Sequence, residues 1–553
     1  MKVKNKIKQI LSIIVTAMMM MSLFTVNAFA NSTGVGSETS INETATKGKI
    51  TITNPAKAPN AVYTAYKVLT ANYVEGQSTY SYTVENAFKS IIDTEAAPNS
   101  DLTVKYTVKR TGKIVNKGTD TEANSYLLAR DIEEVINTTG FDGTSQVLTS
   151  GTENELPIGY YAVLQTGSSD GDAWVATAPI LAAVPAFGSS VDKFFYKQTI
   201  APKGNEITID KNIVQETVGT TDLQSNYSVK KDDASVGDIL TYELKADVPH
   251  YTVEGSETGV PASYNESNIV FELLDTLSQG LTYKANVRAL GHKVDGDNGE
   301  DITSQLIDVP VELTTDPTAN TDLTFKFTGN YSNIKAYKYI TITYQAKVNK
   351  NAIIGGDGNK NEVKLHYTVN PSKKTETNTD KKETVTYSYN VAIKKIDAAN
   401  NEITTDSVEF ELYRKVKDTY VLVKSLGKDS TNATIDSSTG KITFTGHATL
   451  TGLDAGEYKL TEVKAPNGYT LPANPDTCFT IVAGNTDGIL NGTHTVTGTT
   501  VDTDKLTVKV TNTQGVTLPQ TGGAGTWMFT IGGLVLMAGA VVVFMATRKK
   551  KAN

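Results

Sequence analysis

Apolar side chains recur along this chain with a period of two more often than with the 3.6 of a helix, and Gly and Asn interrupt the alternation at short intervals. Leu506-Thr507-Val508-Lys509-Val510-Thr511-Asn512 is one such run. Rich in Thr, Val, Ile and Tyr, the pattern predicts an all-β chain of tandem immunoglobulin-like β-sandwich domains. Two stretches depart from it: Ser125 to Ile136 carries a helical period and Ala87 to Ile92 reads as a short turn of helix, both as insertions in the first sandwich. Long apolar runs occur near the two ends, Ile10 to Val26 and Trp527 to Thr547. The 21 residues of the second run form a helix of about 31 Å, long enough to cross a bilayer.

The flanks of those runs give them different fates. Lys2, Lys4, Lys6 and Lys8 precede the first, and Ala28-Phe29-Ala30 supplies the small residues a signal peptidase requires, so residues 1–30 read as a signal peptide. Before the second stands Leu518-Pro519-Gln520-Thr521-Gly522, and after it Arg548-Lys549-Lys550-Lys551 within a basic tail, 548–553. That order is a cell-wall sorting signal, in which a sortase cuts between Thr521 and Gly522 and passes the threonine carbonyl to an amine. The alternative is an ordinary tail anchor. The expected mature chain is secreted, runs from Asn31 to Thr521, and is held transiently in the membrane by helix 527–547 before transfer to the cell wall.

Between the ends, 31–47 has almost no large apolar side chain and is expected to be a flexible leader. Strand openings at Lys49-Ile50-Thr51-Ile52, at Ile207 to Ile213 and at Val391 to Asp397 divide the rest into an N-terminal domain, 48–198, a middle domain, 199–385, and a C-terminal domain, 386–515. The polar stretch Pro371 to Glu383 is read as leading into the third opening. The full chain has 52 basic and 60 acidic residues; loss of four basic residues at each end leaves 44 against 60, a net charge of −16. No nucleic-acid partner is implied. A single cysteine, Cys478, allows no internal disulfide in an exported protein.

Strand parity exposes an oddity. Ile207, Ile209, Lys211 and Ile213 share one face of the second opening, and Val391, Ile393 and Lys395 share one face of the third, so each domain's first strand aims a lysine into its apolar side. Parity also supplies partners: Asp275 follows Ile269, Phe271 and Leu273, Asn361 leads Val363, Leu365 and Tyr367, Glu462 follows Tyr458 and Leu460, and Asn512 follows Leu506, Val508 and Val510. Two sets result, Lys211 with Asp275 and Asn361, and Lys395 with Glu462 and Asn512. A lysine kept neutral by burial is a nucleophile, and a carboxyl of raised pKa can polarise the asparagine amide and shuttle the proton. The product is a Lys-Asn isopeptide bond with ammonia released, Asp275 and Glu462 acting as the catalytic acids. The bland alternative is lysines snorkelling to a strand edge beside carboxylates that form salt bridges.

These residues resemble the backbone, or major, pilins of Gram-positive bacteria, which pilin-specific sortases polymerise. The third domain is similar to the B-type domains of collagen adhesins through Lys395-Ile396-Asp397 and the run Tyr458-Lys459-Leu460-Thr461-Glu462-Val463-Lys464-Ala465-Pro466-Asn467-Gly468-Tyr469. The second resembles the pilin middle domain through Asp275-Thr276-Leu277-Ser278-Gln279-Gly280-Leu281, and the first the N-terminal pilin domain through Tyr63-Thr64-Ala65-Tyr66-Lys67 and Gly159-Tyr160-Tyr161. The resemblance implies a structural shaft subunit, with identical subunits and a pilin-specific sortase as partners, and minor pilins and peptidoglycan, through a housekeeping sortase, as further ones. It also implies an acceptor lysine in a Tyr-Pro-Lys-Asn motif. This chain has Ala201-Pro202-Lys203-Gly204, which keeps Pro and Lys and loses both flanks, so Lys203 is the expected acceptor and Lys197 the fallback. A monomeric wall-anchored adhesin binding a host ligand is the alternative function.

Other chemistry is sparse. Asp295, Asp297, Glu300 and Asp301 cluster in a Gly-rich loop, but their spacing departs from an EF-hand and a solvated loop is expected. His250, His292, His366, His447 and His494 are scattered without zinc-ligand spacing, and His366 is placed on a surface face by its parity. Cys478 is expected to be a buried small hydrophobe. No metal, cofactor or conventional enzymatic site is expected.

Overall fold

The computed structural model describes residues 30–34, 39–40, 42–75, 80–101, 103–109, 114–138, 140–176, 179–187, 193–223, 228–251, 266–515 and 524–549. Residues 1–29 of the expected signal peptide, the pentapeptide 518–522 and the end of the basic tail, 550–553, lie outside them. The chain forms two compact units, one of residues 1–389 with 452–455 and 483–494, the other of 390–451, 456–482 and 495–553.

Within the first unit, the N-terminal domain pairs a four-stranded sheet with a five-stranded one. The first runs in the order Ala30–Gly34, Lys197–Pro202, Lys47–Ile52, Glu153–Pro157; Lys197–Pro202 lies parallel to Lys47–Ile52. The second is built on Val62–Tyr73 and Gly159–Gly167. Alternation explains why Val62–Tyr73 is buried on both sides. Tyr63 and Ala65 pack with Ile50, Ile52 and Ile200 in the inter-sheet core, while Tyr66 and Val68 pack against Leu128, Ala129 and Ile132 of the helix Ser125–Asn137. That helix starts where Asn124 Oδ1 accepts the Tyr126 and Leu127 N–H groups, and its apolar face repeats at helical spacing. The second expected helical turn is a single 3₁₀ turn, Asn86–Phe88.

The middle domain is a sandwich. One sheet contains Ile209–Val218, Ile239–Asp247 and Tyr339–Val348 as neighbours; the other contains Lys382–Tyr387, Asn359–Asn370, Phe271–Leu277 and Thr321–Lys326. Their inner faces meet in a core of Leu240, Tyr242, Leu244, Ile342, Tyr344, Phe271, Leu273, Phe325, Val363, Leu365 and Tyr367.

In the second unit one sheet carries, in order, Tyr469–Thr470, Thr507–Gln514, Tyr389–Asp397, Lys441–Leu453, Ser407–Val416, Gly456–Lys464 and Asp476–Thr486. The C-terminal helix Ala524–Lys549 contains the apolar span Trp527–Arg548, with a mean hydropathy of 2.3.

Several local readings need correction. The leader 31–47 carries strand pairings, Ala30–Gly34 on Lys197–Pro202 and Thr39–Ser40 on Lys193–Phe195. The polar stretch 371–383 holds the strand Thr375–Asn378 and the start of Lys382–Tyr387, both paired to Asn359–Asn370, so it belongs to the middle domain's sheet. Leu506 is exposed, because the final strand starts only at Thr507. Cys478 is exposed too, since Phe479 and Ile481 take the inward positions of its strand.

Candidate functional site

Lys211, on the second strand residue after Ile209, points between the two sheets of the middle domain and is fully buried. The facing sheet brings Asp275 and Asn361 to it on adjacent antiparallel strands. Lys211 Nζ forms an ion pair with Asp275 Oδ2 and donates to Tyr344 Oη at 3.1 Å. Tyr344 completes the cluster: its hydroxyl donates to Asp275 Oδ1 at 2.9 Å and accepts from Asn361 Nδ2 at 2.7 Å. One hydroxyl therefore contacts amine, acid and amide, within its capacity of one donor and two acceptors. Asn361 Oδ1 is buried with no hydrogen-bond partner. Aromatic rings complete the surroundings: Lys211 Nζ lies 5.4 Å from the ring centroids of both Tyr242 and Tyr344.

Electrostatics bias both ionisable groups toward neutrality. Burial draws the Lys211 amine from 10.5 down to about 8, against the opposing pull of Asp275. Burial likewise pushes the Asp275 carboxyl above the usual range, with Lys211 opposing. Proton transfer from ammonium to carboxylate would leave a neutral amine beside a protonated acid.

The second unit holds a parallel arrangement with different wiring. Lys395 is buried on Tyr389–Asp397, and its Nζ donates to Val510 O at 3.0 Å on the neighbouring parallel strand, which places Asn512 opposite Asp397. Glu462, from Gly456–Lys464, puts Oε2 3.5 Å from Lys395 Nζ. Neither Glu462 oxygen makes a hydrogen bond, and Asn512 Oδ1 also lacks a partner, while Asn512 Nδ2 donates to Thr470 O at 2.9 Å. Burial lowers Lys395 to about 8 and raises Glu462, each opposed by the other's charge. The Lys395 amine and the Asn512 side chain hold the charged form of Glu462 against that rise.

Parity in the sequence thus named the six residues the fold brings together in two threes. It passed over Tyr344, although Ile340, Ile342, Tyr344 and Ala346 share one buried face of Tyr339–Val348. The same alternation could have found it.

Lys203 is exposed, and both flanks are fixed. Lys197–Pro202 is a strand of the N-terminal sheet, and Gly204–Glu206 pairs with Trp174–Ala176. Gly204 has no room for a side chain: a Cβ there would lie 2.0 Å from Val175 O and 2.8 Å from the Trp174 indole. Lys197 is engaged otherwise, its amine 2.7 Å from Glu153 Oε1, a carboxylate that also holds Lys49.

Elsewhere, the acidic loop is occupied by protein partners. Asp297 accepts from His292 Nδ1 and from the N–H groups of Lys293, Val294 and Gly299, and Asp295, Glu300 and Asp301 pair with Lys338, Lys293 and Arg288. His366 is half-buried between Glu272 and Glu376.

Tandem β-sandwiches with lysine–acid–asparagine clusters in their cores, followed by a C-terminal helix long and apolar enough to cross a membrane, define the class. Sequence profiles narrow the class. Residues 236–371 match the Gram-positive pilin backbone subunit 2, Cna-B-like domain, 389–495 the SpaA prealbumin-like fold domain, and 510–553 the LPXTG cell wall anchor motif. The Trypsin-resistant surface T6 protein of Streptococcus pyogenes serotype M6 is 27% identical over 343 residues, 58% of this chain and 55% of the relative, so the chain spans about half the length of that curated relative. Over its middle and C-terminal domains and its C-terminal segment the chain is thus similar to the sortase-assembled backbone pilins of Gram-positive bacteria. Among solved structures, the T6 backbone pilin of serotype M6 Streptococcus pyogenes aligns at 17% identity and TM-score 0.49, over 85% of this chain and 99% of that one. The full-length major pilin SpaD of Corynebacterium diphtheriae aligns at 17% identity and TM-score 0.45, over 86% and 99%.

Proposed function

We propose that this chain is the shaft subunit of a covalently polymerised surface pilus. A sortase cleaves between Thr521 and Gly522, carries the threonine as a thioacyl intermediate on its own cysteine, and releases it to the Lys203 amine of the next subunit. Repetition gives a head-to-tail fibre of identical units. Within each subunit, Lys211 joins Asn361 with Asp275 as the acid, and Lys395 joins Asn512 with Glu462. In each case the neutral Nζ attacks the amide carbon, a C–N bond forms, and ammonia leaves with a proton delivered by the carboxyl. Each chain does this once, so the protein is structural and a sortase substrate, not a turnover enzyme.

The observation that carries the reading is the pair of fully buried lysines, each within reach of a buried carboxyl whose pKa is raised and of a buried asparagine. The pilin-backbone and anchor matches supply the context. The T6 relative is described as trypsin-resistant, a property that such cross-links would give.

The test is an immunoblot of wall extracts from the native host, boiled in detergent. Wild type should give a ladder of high-mass species, and Lys203→Ala should collapse it to monomer, whereas Lys197→Ala should leave it intact. A single band near monomer size in wild type would contradict the polymer and favour a monomeric adhesin.

A further inference from the structure

The helix Ser125–Asn137 of the N-terminal domain ends against the turn Pro371–Lys374 of the middle domain, within the same compact unit. Lys373 Nζ donates to Ile136 O at 3.3 Å and lies 5.6 Å from the Tyr66 ring centroid. Asn137 is the last helical residue, and both its side-chain atoms, Nδ2 and Oδ1, are buried without a hydrogen-bond partner. Glu133, four residues earlier and buried, stands on the same helix face. Burial lowers the Lys373 amine below its usual value, and the charge of Glu133 opposes that fall.

The turn is held in place. Asn370 Nδ2 donates to Gln165 O of the N-terminal domain at 2.8 Å, while Asn370 Oδ1 accepts from the N–H groups of Ser372 and Lys373 at 2.9 and 3.1 Å. Beside it is a cavity of about 20 Å³ lined by Arg130, Glu133, Gln165 and Asn370 among others, room for one water-sized molecule. Arg130 Nη1 donates to Glu133 Oε2 at 2.6 Å and so fixes the carboxylate.

We propose that Lys373 and Asn137 form a third isopeptide bond, one that joins the N-terminal domain to the middle domain, with Glu133 as the proton carrier. This rests on the same lysine-to-asparagine chemistry as the function proposed above, at a site of different construction: a helix end and a turn in place of two facing strands. The neutral Nζ attacks Asn137 Cγ, the new C–N bond forms, the Cγ–Nδ2 bond breaks, and ammonia departs with the proton that Glu133 takes from Nζ. No oxidant or co-reactant is needed. A lysine that merely capped the helix C-terminus would satisfy Ile136 O and leave the Asn137 amide orphaned; the bond consumes that amide.

The experiment is peptide mapping of the full chain, purified in detergent from a host lacking the pilin sortase, by tandem mass spectrometry. The expected result is a branched peptide joining Lys373 to Asn137 beside those joining Lys211 to Asn361 and Lys395 to Asn512, and an intact mass short of three ammonia molecules. Lys373→Ala and Asn137→Ala should each restore one ammonia. Two within-domain branches with Lys373 and Asn137 in linear peptides overturn this inference alone. Linear peptides at all three pairs overturn it together with the shared chemistry. The wild-type map decides even if a variant fails to fold.

Discussion

A lysine side chain buried among tyrosines is stable either as an ammonium with a bound carboxylate or as a neutral amine beside a protonated acid. At Lys211 and Lys395 burial lowers the amine and raises the acid, so each pair is biased toward its neutral form. The nucleophile is the unprotonated amine, and its fraction grows as pH rises through the lowered value of about 8. The raised carboxyl pKa acts in the same direction, favouring the neutral acid. Bond formation after refolding should therefore accelerate from about pH 6 toward pH 8, measured by quenching aliquots in acidic denaturant and following ammonia loss by intact mass. A rate indifferent to pH would mean that amine deprotonation is not part of the step. At this scale the sequence was informative wherever a lysine broke a strict alternation. Tyr344 escaped because a tyrosine among isoleucines looks like ordinary core, and Lys373 escaped because nothing in Pro371 to Lys374 alternates.

Strands with clean alternation, such as Ile209–Val218 and Tyr389–Asp397, were legible because each has one apolar face against a core and one polar face. Thr375–Asn378 and Ala30–Gly34 were not: they are short, composed of polar or small residues, and held by backbone pairing to a neighbour far along the chain. Composition marks such segments as linkers, and only tertiary structure pairs them. The acceptor segment shows the same dependence. Gly204 replaces the expected asparagine because the Trp174–Ala176 strand occupies the space a side chain needs. Gly204→Ala should destabilise the N-terminal unit by about 1–3 kcal/mol through overpacking, read as a lowered midpoint in urea with an unchanged slope. A midpoint equal to wild type would show that this pairing does not constrain the Lys203 backbone.

Across the whole chain, the sorting signal, the −16 charge of the expected mature form and the lone cysteine pointed to an exported protein stabilised by something other than disulfides. Three sandwich domains were expected, yet N-terminal and middle domains fall within one compact unit. Val175 of the N-terminal domain packs into the middle domain's apolar core, and polar contacts add to it. Tyr367 Oη donates to Asp172 O and accepts from Trp174 N, both at 3.1 Å, and Thr377 Oγ1 donates to Ser169 O at 2.8 Å. Such contacts use backbone atoms of loops, which carry no periodic signature in sequence. The same junction holds Lys373 and Asn137, so a covalent path through the N-terminal and middle domains has a physical basis at their shared boundary.

In the proposed fibre one subunit's Thr521 ends on another subunit's Lys203. The most direct test of that linkage is proteolysis of high-mass wall material from the native host followed by a search for branched peptides. The expected product is a peptide ending in Leu518-Pro519-Gln520-Thr521 joined through the threonine carbonyl to Lys203 Nζ. Finding Thr521 attached only to cell-wall peptide, with Lys203 recovered in a linear peptide, would contradict it.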